Sequence, residues 1–187
     1  MNINSKYTLH NVESTQTRRN GRTTNAADPS AGSRRLLWIS AILTAMLAGF
    51  CKSIHTELKI RATPAEVWSV LMDNKKYPEW NPYHVRVEGE LKEGNTIVVE
   101  VHKPNGNRIV LEPEVLRIRP ERELTWGGGI PGLFTGEHVF EIVPCEEGVV
   151  LIHREKFSGI FVPFAELDSI EEGYAQMNQA LKERVED

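Results

Sequence analysis

Pro64-Ala65-Glu66-Val67-Trp68 and, after eight intervening residues, Tyr77-Pro78-Glu79-Trp80-Asn81-Pro82 stand between two stretches of alternating apolar and polar residues. Thr63 precedes the first of them as a helix N-cap, Pro64 takes the first helical position, where its missing N–H costs nothing, and Glu66 follows the cap at capping-box spacing. These residues predict a short helix with Val67, Val70 and Leu71 turned inward. Upstream, Ile54, Thr56, Leu58 and Ile60 alternate with His55, Glu57, Lys59 and Arg61, the period of a strand with one buried face. Downstream, Tyr83, Val85 and Val87 alternate with His84, Arg86 and Glu88, so a second strand is expected there.

Further along, Ile97, Val99 and Val101 alternate with Val98, Glu100 and His102, and Asn105-Gly106-Asn107 is a turn signal. Ile109, Leu111, Pro113 and Val115 are expected to face inward on the next strand, with Leu116 and Ile118 out of phase, the mark of a bulge. Leu124 and Trp126 lead into Gly127-Gly128-Gly129, read as a loop. No helix follows these glycines, so they are not a dinucleotide fingerprint. A last hairpin is predicted from about Gly136 to Gly159, turning at Cys145-Glu146-Glu147-Gly148.

The turn sets the register of that hairpin. Residue 144 faces 149, and therefore 142 faces 151, 140 faces 153 and 138 faces 155. Alternation then places Phe140, Ile142, Leu151 and Phe157 on the core face, together with His138, His153 and Glu155, with His138 directly across from Glu155. A carboxylate and an imidazole on an apolar face have coupled, shifted protonation equilibria and serve either as an acid/base pair or as a polar anchor. A structural ion pair is the other reading, since ion-pair networks perturb protonation too. A slip of one residue would turn both groups outward.

The chain closes with Leu167, Ile170, Tyr174, Met177 and Leu181 at spacings of three and four, the apolar stripe of one helix. Ser169 and Glu172 have capping-box spacing at its start. Gly173 costs helix stability and leaves room either for a ligand or for close packing.

The order of these segments, with Gly89-Glu90-Leu91-Lys92-Glu93-Gly94, Leu133-Phe134-Thr135-Gly136-Glu137-His138-Val139-Phe140, Glu155-Lys156-Phe157-Ser158-Gly159 and Met177-Asn178-Gln179-Ala180-Leu181-Lys182, resembles the START-like superfamily, also called SRPBCC, which includes polyketide cyclases and dehydrases. The resemblance covers residues 54 to 187. It implies an α+β helix-grip fold: a curved antiparallel β-sheet wrapped around a long C-terminal α-helix, with an apolar cavity between them. The Tyr77 to Pro82 segment is then expected to cover one end of that cavity. The resemblance implies a partner of a kind, an apolar small molecule such as a lipid, sterol, polyketide or aromatic compound, but no particular ligand and no cofactor. The expected wall is Trp80, Leu111, Trp126, Phe140, His153, Phe157, Tyr174 and Met177. The alternative is a cyclase or dehydratase in which His138 and Glu155 move protons. Trp68 reads as a fold-determining aromatic. No metal site is assembled, including the His and carboxylate iron ligands of the Rieske-oxygenase branch.

Composition divides the chain near residue 53. Residues 1 to 53 hold seven Lys/Arg and two Asp/Glu, a net of +5, and residues 54 to 187 hold fifteen and twenty-four, a net of −9, which together make the −4 of the whole. An acidic domain does not seek phosphate backbones, so nucleic acid is excluded as a partner. Residues 1 to 35 form a basic, polar head with too little apolar surface to offset the entropy of ordering, and disorder is expected. Residues 36 to 51, from Leu36 to Cys51, are sixteen residues without a charge, bounded by Arg34-Arg35 and Lys52. As a helix they would cover about 24 Å of roughly 30 Å of bilayer hydrocarbon. A short membrane anchor, the apolar region of a secretory signal and a helix docked on the domain remain open. The adopted expectation is an uncleaved anchor with the domain on the non-cytoplasmic side; the alternative is a cytoplasmic chain. Cys51, expected to lie outside the domain, and Cys145 are the only cysteines, which suggests no disulfide framework.

Overall fold

The alternating segments become eight strands and the striped segment becomes the long helix. The computed structural model describes residues 50–187. In chain order the elements are β1 (Cys51–Ile60), α1 (Pro64–Met72), α2 (Tyr77–Trp80), β2 (His84–Glu88), β3 (Val98–His102), β4 (Arg108–Leu111), β5 (Glu114–Arg119), β6 (Glu123–Ile130), β7 (Phe134–Cys145), β8 (Gly148–Ser158) and α3 (Ile170–Glu186). Five strands pair in the order β1-β8-β7-β6-β5 and three in the order β2-β3-β4, with every pairing antiparallel. The two sheets are stitched together where Ile97 N–H donates to the Pro113 carbonyl and Val115 N–H to the Asn95 carbonyl, each at 2.9 Å. The long helix α3 lies against β1 and β8 and meets α1. This is the helix-grip arrangement.

Each element follows from its sequence pattern. On β1 the side chains of Ile54 and Ile60 are buried while their polar neighbours face solvent. The capping box forms: Thr63 Oγ1 accepts from Glu66 N–H at 3.3 Å and Glu66 Oε2 accepts from Thr63 N–H at 2.7 Å. On α3, Ile170, Tyr174, Met177 and Leu181 are all buried, with Leu167 just before the helix. The last hairpin has the expected register, including Phe140 opposite His153 and His138 opposite Glu155. Its turn is tighter than expected, because Cys145 pairs with Gly148.

Five local expectations are corrected. β1 begins at Cys51, which pairs with Ser158, so this residue belongs to the domain. The segment from Ile109 to Val115 is two strands in different sheets, broken at Glu112-Pro113, where proline has no N–H to continue a ladder. Gly127, Gly128 and Gly129 belong to β6 and pair with Glu137, Gly136 and Thr135. They carry no side chain to show an alternation, and a Cβ on Gly127 would stand 2.5 Å from the Gly136 carbonyl oxygen. In β2 the register shifts between His84 and Arg86, and this bulge buries both Tyr83 and His84. Ser169 sits at the start of α3 with helical φ and ψ and makes no side-chain cap. Its hydroxyl instead meets Glu166 Oε1 at 3.3 Å.

Among the described residues no helix is long and apolar enough to cross a membrane. The predicted head and the predicted apolar segment up to residue 49 lie outside the described residues.

Candidate functional site

A cavity of about 320 Å³ opens between α3, the five-stranded sheet and β3–β4. That is the lower end of the range of small-molecule sites. Leu111, Trp126, Phe157 and Tyr174 line it, as do His138 and Glu155. The other residues expected on the wall are placed elsewhere. Phe140 and His153 are fully buried behind His138, with ring centroids 4.7 Å from it in each case. Met177 is fully buried under the helix, and Trp80 packs edge-on against Tyr77 with centroids 5.0 Å apart. The Tyr77 to Pro82 segment therefore supports the core rather than the cavity wall. Its Asn81 Oδ1 accepts from the backbone N–H groups of Tyr83 and His84, at 3.0 and 2.9 Å, and so fixes the start of β2.

The His138 and Glu155 part of the wall belongs to one continuous hydrogen-bonded chain that runs back into the core. It begins at Asn178, whose Nδ2 donates to Thr56 Oγ1 at 2.9 Å, while Thr56 gives its own proton to the His153 carbonyl at 3.1 Å. Asn178 therefore turns Oδ1 toward His153 Nδ1 at 2.8 Å, and an amide oxygen only accepts. His153 Nδ1 thus carries a proton. Burial, and then the nearby His138 and His84, hold His153 well below the ordinary histidine range, so its Nε2 is bare. That nitrogen accepts from His138 Nε2 at 3.1 Å. The far nitrogen of His138, Nδ1, meets the Tyr174 hydroxyl at 2.9 Å, and the same hydroxyl donates to Glu155 Oε2.

This last link has two arrangements. With Glu155 ionised, the phenol donates to the carboxylate and His138 Nδ1–H donates to the phenol. With one proton passed along, a neutral Glu155 donates to the phenol and the phenol donates to a neutral imidazole. His138 Nδ1 and Glu155 Oε2 are 3.9 Å apart, too far for a direct hydrogen bond, so Tyr174 is the connection. Burial, with the Glu155 charge next, pushes the Tyr174 phenol well above its usual range, so it relays a proton and does not ionise.

Three features hold this chain in place. Trp126 stacks on His138 with rings 5° from parallel and centroids 5.0 Å apart. Gly136 faces Glu155, where a Cβ would stand only 3.0 Å from Oε1, so the absent side chain makes room for the carboxylate. His84 lies 5.0 Å from His138 between ring centroids, and its Nδ1 is buried without a partner among the described residues. Burial first, and His138 second, hold His84 neutral. The His138 ring meets those of His84 and His153 edge-on and is hydrogen-bonded to His153; among the described residues no group of three or more His, Cys, Asp or Glu is placed to hold a metal ion.

Sequence reasoning found His138, Glu155 and the facing register, but it missed His84, Thr56 and Asn178 as members of the site. Asn178 had a signal, being four residues after Tyr174 on the buried side of the helix. His84 had none, because a bulge cannot be read from period-two alternation.

The family described as polyketide cyclase/dehydrase and lipid transport matches residues 52–186. The chain belongs to this family. Solved structures agree on the fold. The di-domain ARO/CYC BexL from the BE-7585A biosynthetic pathway matches with a TM-score of 0.60 at 13% identity, covering 84% of this chain and 58% of that one. The di-domain ARO/CYC StfQ from the steffimycin biosynthetic pathway matches with a TM-score of 0.57 at 14% identity, covering 88% of this chain and 62% of that one. Protein CV1439 from Chromobacterium violaceum matches with a TM-score of 0.59 at 17% identity, covering 72% of this chain and 97% of that one. No curated protein matches this chain at a significant level.

Proposed function

We propose that this domain binds an apolar small molecule of the polyketide, lipid, sterol or aromatic kind and holds one oxygen-bearing group of it against Glu155. The observation that carries this reading is a largely apolar cavity faced by the hydrogen-bonded Glu155–Tyr174–His138 chain, with His84, Lys103, Glu112 and Glu166 among the other polar groups on its lining. A carboxyl beside hydrocarbon alone would go unpartnered, whereas a ligand hydroxyl or carbonyl pairs with it. Glu155 spends Oε2 on Tyr174 and keeps Oε1 beside the glycine gap. The family's description as cyclases, dehydrases and lipid transporters, and the ARO/CYC likeness, support such a ligand class. The test is native mass spectrometry of the full chain from its own source, followed by organic extraction. A retained apolar compound bearing an oxygen function is expected, with Glu155→Gln weakening its binding about tenfold. A folded chain that stays empty in the presence of extracts of that source would count against the reading.

A second reading is an acid/base enzyme of the cyclase or dehydratase type, and the Tyr174 link favours it specifically. The chain's one mobile proton, on His138 Nδ1 while Glu155 is ionised, passes through the phenol to Glu155 and is given there to a departing hydroxyl, which leaves as water, without crossing bulk solvent. This reading expects His138→Gln and Tyr174→Phe to abolish turnover of a polyketide substrate while leaving its affinity nearly intact. Equal loss of turnover and affinity would sink it.

A further inference from the structure

Ligand binding leaves one surface of the domain unexplained. Ile130 (62% exposed) and Leu133 (39%) on the β6–β7 turn, and Ile160 (44%), Phe161 (52%) and Phe164 (82%) after β8, stand in solvent. Scattered apolar side chains on a surface are ordinary, but these are contiguous. Ile160 N–H donates to the Gly132 carbonyl at 3.1 Å and Phe161 N–H to the Leu133 carbonyl at 3.0 Å, so the two loops form one surface. None of the five lines the ligand cavity. Their immediate neighbours do: Phe134 follows Leu133, and Ala165 follows Phe164, and both are cavity wall. The patch therefore rims the mouth.

Where the chain enters the domain says what covers this rim. Gly159 N–H donates to the Phe50 carbonyl at 2.9 Å, so residue 50 arrives within the same loop cluster. The run ending there, Leu36 to Cys51, has no charge in sixteen residues and follows Arg34-Arg35. A bilayer interface that takes up this run has the apolar rim brought to it. The charges flanking the rim are neutralised within the domain, Lys52 by Asp168 at 2.9 Å and Lys103 by Glu166 at 2.6 Å. Neither lysine is left free to draw lipid by charge, and apolar burial carries the seating.

We infer that Ile130, Leu133, Ile160, Phe161 and Phe164 seat the mouth of the cavity on a lipid bilayer surface, so that an apolar ligand passes between cavity and membrane without crossing water. The seating does not depend on which ligand is carried. It is tested with the full chain bearing Cys51→Ser, Cys145→Ser and Phe164→Cys, labelled at residue 164 with a polarity-sensitive fluorophore and mixed with vesicles of equal parts phosphatidylcholine and phosphatidylglycerol. The label is expected to brighten several-fold and shift to the blue with vesicles, and to stay unchanged when carried instead at residue 146 in the far turn of the β7–β8 hairpin. Three results would overturn the inference: no association with vesicles, association with the label at residue 164 still in water, or a label already shielded without vesicles. The last would mean that the patch is covered by protein, either residues of this chain or a second copy.

Discussion

At the level of single residues, Gly173 and Tyr174 decide how the helix meets the sheet. A Cβ on Gly173 would stand 2.2 Å from Cδ2 and Cε2 of Tyr83, so the space left by the glycine is filled by that ring and not by ligand. Alanine normally improves a helix interior by roughly 0.5–1 kcal/mol. Here Gly173→Ala is expected to destabilise by about 1–3 kcal/mol in urea unfolding, and a gain would mean that the Tyr83 ring is not seated there. Tyr174→Phe removes the hydroxyl shared by His138 and Glu155 and is expected to cost about 1–3 kcal/mol, since two poorly solvated groups lose a partner. Asn178→Ala acts differently. It frees His153 Nδ1, so nitrogen-15 spectra should change from one His153 tautomer to a mixture; a single unchanged tautomer would contradict the hydrogen-bonded chain drawn here.

Among the elements, the two helix starts offer a direct comparison. Thr63 caps α1 through a reciprocal pair with Glu66, and Thr63→Ala is expected to lower stability by about 1 kcal/mol. Ser169 has the same sequence signature before α3 but adopts helical dihedrals and caps nothing, so Ser169→Ala should cost only a few tenths of a kcal/mol. Thermal unfolding of the two variants side by side checks the difference. A capping box is local and therefore legible, yet whether the cap residue leaves the helical region depends on the chain that delivers it, here the turn at Val162–Phe164 and the Glu166 carboxylate. The strands show the same division. Ile54 to Ile60 and Ile97 to Val101 alternate cleanly and fold as they read, whereas the bulge in β2 and the break at Pro113, where the chain passes from one sheet to the other, do not show in the alternation.

For the whole molecule, the buried histidines tie stability to pH. Burial, with His138 as the second cause, holds His84 and His153 below the ordinary value of 6.5, so the unfolded chain binds their protons first. Stability from these two groups is complete above pH 6.5 and falls as pH drops below it, by at most about 1.4 kcal/mol per pH unit for each. Glu166 titrates in a separate, lower window: the Lys103 hydrogen bond holds it down to about 2, and its contribution is lost only as pH falls from 4.5 toward that value. Denaturant unfolding between about pH 8 and about pH 5 should therefore show a decline, roughly halved in His84→Leu, which also removes the unpartnered Nδ1 and so should not weaken the fold at neutral pH. An unchanged slope would place the proton uptake elsewhere. What the sequence by itself determined was everything set by neighbours a few residues away: strand faces, the first helix cap, the stripe of α3, and the register that puts His138 across from Glu155. The tertiary structure alone decided that Tyr174 of the helix comes between those two, that His84, Asn178 and Thr56 complete the chain, and that Trp80, Phe140, His153 and Met177 stand behind the cavity wall. Periodicity assigns a side chain to a face, but only the packing of helix against curved sheet fixes which members of that face meet one another and which meet a ligand.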